Sequence, residues 1–325
     1  MVPYQEHPQT YPLQLKLAFD PKRDSGLEFP LIMKMIHGGD SPADEIAGID
    51  AAIPDLYAQT QRYYAHFFDS RLTAQTPEKH LNQALRWAEI AIDQMQVAYH
   101  SEIGLVAGYY SSGDSARPGF AWFFGRDTLW TSFAINSYGD FALTRRALDF
   151  LIHRQRADGK IMHEFSQSAD AIDWKTTPYF YAEADGTPLF VMAMRDYVRT
   201  SGDAAYLKTN WDAVRKAYAF TRAHDTNGIY DNSQGTGWVE SWPPGMPHQE
   251  IYLAALDQQS AHAMADLAAL MGDRQLSQAA HKTAQDIRAK IESEYFEPQA
   301  QFYAFSRNAN GTLDHTASIF PSVAW

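Results

Sequence analysis

Apolar and polar positions recur at helical spacing along most of the chain. Leu81, Leu85, Ala88, Ile92 and Met95 share one face of a predicted helix. Trp211, Val214, Tyr218 and Thr221 share a face of another, with Lys208, Arg215 and Lys216 elsewhere. Such one-sided patterns predict outer helices with one wet face. Two other segments are apolar around their circumference. One carries Leu189, Phe190, Val191, Met192, Met194 and Val198; the other carries Ile251, Leu253, Leu256, Met264, Leu267 and Leu270. These predict inner, buried helices.

The same punctuation separates inner from outer helices each time. Gly139-Asp140, Gly202-Asp203 and Gly272-Asp273 each follow one apolar helical pattern and precede another. Glycine just past a helix accepts the left-handed conformation of a C-terminal cap. The aspartate then caps the next helix by accepting backbone N–H bonds. Each pair therefore predicts a tight turn in a helical hairpin, repeated along the chain. Long connections, roughly 100–125, 157–184, 226–248 and 297–314, join each outer helix to the next inner one. They are rich in Gly, Pro, Asp, Trp and Tyr, and all open on the same end. Long loops gathered at one end of a ring of hairpins predict a funnel-shaped site.

The pattern predicts an all-α chain: a toroid of helical hairpins, the (α/α)6 arrangement, with a short β-containing N-terminal segment. In residues 1–45, Tyr11–Leu17 alternates like a strand and Phe29–Ile36 is a second candidate, the end of a β domain or a capping segment. Residues 46–78 read as a linker helix (46–68) and loop, and 79–325 as a partial barrel. Six hairpins at this spacing need more chain than follows residue 78, so the ring is expected to be incomplete. His315–Trp325 reads as the start of a further inner helix, with the remaining hairpins expected beyond it or on a partner chain.

Composition narrows the chemistry. The 325 residues contain no cysteine, which excludes disulfides, thiolate metal sites and a cysteine nucleophile. A net charge of −12 without a basic stripe argues against nucleic acid. No apolar run is long enough to span a membrane, and no signal peptide is visible, so a cytoplasmic location is expected. There is no P-loop, no dinucleotide-binding glycine turn and no His-Glu-x-x-His helix, and the twelve histidines are not paired at ligand spacing. No metal or cofactor is expected. Eighteen Tyr, eighteen Phe and eight Trp supply core and, on a surface, faces on which sugar rings stack.

Candidate chemistry lies in the loops. Phe120-Ala121-Trp122-Phe123-Phe124-Gly125-Arg126-Asp127-Thr128 opens an inner helix. Asp127 suits the helix dipole there; equally, Arg126 and Asp127 form a donor and acceptor pair for sugar hydroxyls, with Trp122 as an apolar wall. His163-Glu164 reads as a surface pair. Asp185, with Pro188 in the following turn, reads as a helix N-cap. Glu240 stands beside Trp238 and Trp242 in an otherwise uncharged stretch that ends at Glu250. Apolar neighbours raise a carboxyl pKa, as a proton donor to a glycosidic oxygen requires. Pairing with a base, or capping a turn, would explain Glu240 as well.

The string aromatic-Trp-x-x-Gly-Arg-Asp-Thr before a helix resembles the motif of the six-hairpin glycosidases, in particular the glucoamylase and amylo-α-1,6-glucosidase (glycogen debranching) group. The resemblance covers roughly 80–325. It implies that Trp122, Arg126 and Asp127 hold the sugar before the scissile bond. The segments Gly-x-Ile-x-His-Glu and Tyr-x-x-x-Asp-x-Thr-x-Leu-Phe are similar to relatives' segments, which implies sugar contacts for His163, Glu164 and Asp185. The Trp-x-Glu of the third loop implies that Glu240 is the general acid of an inverting hydrolase, with Trp238 beside it and Glu250 binding substrate. The general base of the relatives matches no position in this chain; Asp314 reads as a helix cap or a distant subsite residue. The expected function is inverting hydrolysis of α-linked glucosides or related oligosaccharides. Trehalase, mannosidase, sugar isomerase or lyase chemistry on the same ring, and sugar binding without turnover, are the alternatives.

Overall fold

The computed structural model describes residues 41–108, 120–167, 169, 177–238, 247–319 and 322. The chain divides into two units, Met1–Thr73 and Ala74–Trp325. The predicted strands in 11–17 and 29–36 lie outside the described residues. The first unit contributes α1 (Pro42–Asp69), which follows the Ser41 N-cap and starts four residues before the helix that the sequence predicts over 46–68.

The second unit is built from hairpins. After α2 (Lys79–Gln94) come α3 (Gly125–Tyr138) and α4 (Phe141–Ile152). Next are α5 (Gly186–Ser201), α6 (Ala204–Thr209) and α7 (Trp211–Ala223). The last pair is α8 (Ile251–Leu270) and α9 (Arg274–Glu294). The turns between them follow the local chemistry of the repeat. Gly139, Gly202 and Gly272 have φ of +89°, +75° and +77°. Asp140, Asp203 and Asp273 accept from the backbone N–H of Leu143, Tyr206 and Leu276. The helix after Gly202-Asp203 is broken at Asn210, where the periodicity predicts one continuous run.

Helices α3, α5 and α8 pack side by side as the inner layer, and α4, α6–α7 and α9 lie outside them. The inner helices bury residues on nearly every side; α9 buries only Ala280, Ala284, Ile287 and Ile291. The main core joins Leu129 of α3, Leu189, Phe190 and Met194 of α5, and Met264 and Leu267 of α8. Helix α2 departs from its predicted face. Ile92 and Met95 pack on Leu105, Ile135 and Tyr138, whereas Leu81 and Leu85 are exposed.

The long loops are stitched to one another by very short strands. A hairpin, β1 (Gln96–Tyr99) and β2 (Glu102–Leu105), follows α2. Strand β3 (Phe123–Phe124) of the first loop pairs with β4 (Glu164–Phe165) of the second. A parallel bridge between Glu183 and Thr236 ties the second loop to the third, which also contains the β5 (Asp225–Thr226) and β6 (Ile229–Tyr230) hairpin. Strand β7 (Gln249–Glu250) pairs with β10 (Ser306–Arg307) of the fourth loop, beside β8 (Phe296–Glu297), β9 (Phe302–Tyr303) and β11 (Leu313–Asp314). The loops therefore gather at one end, as their connectivity predicts. Of the two roles expected of Asp314, the helix cap is corrected: it lies in β11 and accepts from Thr316 N–H and hydroxyl in a turn, with no helix to cap at 315–319. The rest of the predicted final helix lies largely outside the described residues.

Candidate active site

Three inner helices present their N-termini to the loop end. Gly125 begins α3, Asp185 precedes α5, and Glu250 precedes α8. Gly125 N–H donates to the His163 carbonyl at 2.8 Å, which seats the start of α3 on the second loop.

Arg126 is the hub. Its Nε and Nη2 donate to the two oxygens of Asp185 at 2.5 and 3.0 Å, a bidentate pair, and Nη2 also donates to the Gly237 carbonyl at 2.8 Å. Glu183 Oε2 lies 3.5 Å from Nη2. Asp185 is fully buried and also accepts from the Tyr252 hydroxyl at 2.9 Å. That hydroxyl accepts in turn from the Trp130 indole at 3.3 Å. One connected network thus spans the N-termini of α3, α5 and α8 and reaches the third loop. Burial works against the charge of Arg126, but Asp185 and Glu183 outweigh it and raise its pKa. This geometry corrects one expectation. Asp185 occupies the N-cap position, yet its side chain makes no capping bond, because both oxygens are committed to Arg126 and Tyr252.

Two more carboxyls are buried around this network. Glu183 is fully buried, and neither of its oxygens accepts a hydrogen bond. It fits because Gly125 and Gly186 lack side chains: a Cβ on either would come within 2.7 or 2.0 Å of Oε1. Burial pushes its pKa well above the ordinary value, with Arg126 opposing. Glu250 lies against Gly237, where a Cβ would meet Oε1 at 1.6 Å. Burial raises its pKa to about 7.

A cavity of about 550 Å³ opens beside the hub. Arg126, Asp127, Thr131 and Tyr252 give it a polar edge, and Trp130, Trp238, Ile92, Met95 and Ala134 give it apolar walls. Ligand pockets combine apolar walls with a few placed polar groups in this way. Arg126, Asp127 and Trp238 of the sequence-derived set therefore converge on one concavity. Asp185 is not part of the lining and bears on it through its pair with Arg126.

The other candidates sit elsewhere. Trp122 packs, partly buried, against the main core. Glu164 is buried in β4, paired with Phe124, and His163 is buried with its ring 5.7 Å from that of Phe124. These two residues carry the strand that seats α3. Glu250 lies next to Gly237, outside the cavity lining. Glu240 and Trp242 fall outside the described residues. Sequence reasoning missed Trp130, Glu183 and Tyr252. Trp130 was within reach, since it stands one helical turn after Arg126 on the same face.

Among the described residues, no group of three His, Asp or Glu could hold a metal ion. No described helix is long and apolar enough to cross a membrane.

No protein-family description and no curated protein matches the sequence. Solved structures do match the fold. A rhamnosidase from Klebsiella oxytoca with rhamnose bound is 15% identical, with a TM-score of 0.54, covering 78% of this chain and 46% of that one. A bacterial glucoamylase complexed with acarbose is 14% identical, with a TM-score of 0.51, covering 73% and 36%. A sialidase is 10% identical, with a TM-score of 0.56, covering 81% and 22%. The chain spans less than half the length of each of these. What this likeness shows is architecture: the described hairpins form part of an (α/α)6 toroid.

Proposed function

We propose that this chain is a glycoside hydrolase, or part of one, with its sugar site in the cavity beside Arg126. The observation that carries the reading is the convergence of Arg126, Asp127 and Trp238 on one cavity at the loop end of the hairpins. Asp185 holds Arg126 in one orientation at the cavity edge. Asp127 offers acceptor oxygens on the first turn of the same rigid helix. The similarity of Gly125-Arg126-Asp127-Thr128 to the debranching-type motif supports the finer reading, inverting hydrolysis of α-linked glucosides.

In that reaction Glu240 protonates the leaving glycosidic oxygen while a base activates water on the opposite face of the sugar. The C–O bond to the leaving group breaks as the water oxygen bonds to the anomeric carbon. The water's proton passes to the base. Trp238, two residues before Glu240, lines the cavity and brings the third loop to its edge.

A second reading is favoured by the apolar wall of Ile92, Met95 and Ala134. It suits a sugar that carries a methyl group in place of a hydroxymethyl, and the rhamnose-bound structure of the same fold supports it. Product release from maltose, isomaltose, trehalose, limit dextrin, an α-mannoside and an α-L-rhamnoside tests both. Glucose release supports the first reading and rhamnose release the second. Sugar binding without product over long incubation would contradict both in favour of a non-catalytic binding protein.

A further inference from the structure

Two tryptophans face the cavity with much of their surface open: Trp130 is 41% exposed and Trp238 52%. Single exposed apolar residues are ordinary on a protein surface. Two indoles converging on one concavity, with a charged pair at its edge, form a shaped amphipathic surface instead. Trp130 follows Arg126 by one turn of α3, so its position is fixed by a rigid helix. Its indole N–H is engaged by Tyr252, which leaves the ring face as the surface it offers.

Tyr252 is 1% exposed, and its hydroxyl does two things at once. It accepts from Trp130 and donates to Asp185 Oδ2. Its ring lies 6.2 Å from that of Trp238, at 54°. One buried side chain therefore touches both exposed indoles and the carboxylate that holds Arg126.

We propose that Trp130 and Trp238 are the aromatic walls on which a pyranose ring stacks in this cavity, and that Tyr252 is the positioning residue that registers them with the Arg126–Asp185 clamp. The proposal rests on the glycoside-hydrolase reading and names the residues that grip the sugar's less polar face. Arg126 and Asp127 then meet its hydroxyls. Burial holds the Tyr252 hydroxyl protonated far above neutral pH, as a positioning rather than a proton-transfer role requires.

The test is titration of the chain with maltose, isomaltose and methyl α-L-rhamnoside, followed by intrinsic fluorescence, in wild type, Trp130→Ala, Trp130→Phe and Tyr252→Phe. An indole face that loses about 60 Å² of apolar surface to a sugar ring accounts for about tenfold in affinity. Trp130→Ala is expected to lose that factor and Trp130→Phe to recover most of it. Tyr252→Phe keeps the ring but releases Trp130 and Asp185. It is expected to lower kcat more than it raises KM on whichever substrate is cleaved. Thermal melts establish that each variant is folded, and if Trp130→Ala is not, Trp130→Phe and Tyr252→Phe carry the comparison. If wild type binds sugar and the folded Trp130 variants bind it within about twofold, this proposal falls and the hydrolase reading stands. If wild type binds none of the sugars, both fall.

Discussion

Replacing Asp185 by Asn isolates the clamp on which the site depends. The substitution keeps the shape but removes the charge that faces Arg126. Asp185 is fully buried, accepts two hydrogen bonds from Arg126 and one from Tyr252, and Arg126 is itself only 8% exposed. Breaking a buried ion pair by removing one partner costs about 3–5 kcal/mol, because the remaining charge stays desolvated. Part of that cost is relieved here. Glu183 stands 3.5 Å from Arg126, and the Asp185 charge is one of the causes that hold its pKa high. Without Asp185, Glu183 ionises more readily and takes over some of the pairing. We therefore expect the low end, about 3 kcal/mol. Urea unfolding followed by tryptophan fluorescence measures it.

A double-mutant cycle with Arg126→Met separates the pair from general damage. Each single variant strands one buried charge, whereas the double variant strands neither. The double variant should therefore cost less than the sum of the singles by about 2 kcal/mol or more. A cost below about 1 kcal/mol for Asp185→Asn, together with additive singles, would refute the clamp as the organiser of the three helix N-termini.

Other expectations follow from the same residues. Glu250 has a folded pKa of about 7 against an ordinary 4.5. The stability linked to its protonated form is complete below pH 4.5 and is lost as pH rises through 7, a loss of about 3 kcal/mol that Glu250→Gln should remove from urea midpoints measured across that window. Gly237→Ala drives a Cβ to 1.6 Å from Glu250 Oε1. It should destabilise by about 2 kcal/mol or more by overpacking, and Glu250→Ala in the same chain should restore part of the loss in a thermal melt. Glu240→Gln should lower the rate of sugar release by about 10²–10⁴-fold at saturating substrate, with sugar binding retained.

The hairpins were legible because their signals are local. A glycine at positive φ and an aspartate three residues before the amide that it caps are fixed by neighbours in sequence. Gly139-Asp140, Gly202-Asp203 and Gly272-Asp273 accordingly form the turns that they predict. Inner and outer helices were legible from the breadth of their apolar faces. The strand pairs that stitch the loops were not. Each partner is only two residues long, and Phe124 meets Glu164 across a whole hairpin. The site divides the same way. Arg126 and Asp127 stand in one contiguous motif, and Trp130 shares their helix face. Asp185 was read as a cap because its sequence neighbourhood suits one. Its real partners, Arg126 and Tyr252, lie 59 and 67 residues away along the chain. Glu183 stays hidden for a related reason: the space that admits its carboxyl is made by the missing side chains of Gly125 and Gly186.

The most direct test of the account is a proton NMR time course of the anomeric region while the chain cleaves an α-linked disaccharide. The account predicts that the β-anomer of the released sugar appears first, then mutarotates, and that Glu240→Gln slows its appearance by about 10²–10⁴-fold. Initial release of the α-anomer would contradict inversion. An undiminished rate in Glu240→Gln would contradict the assigned acid.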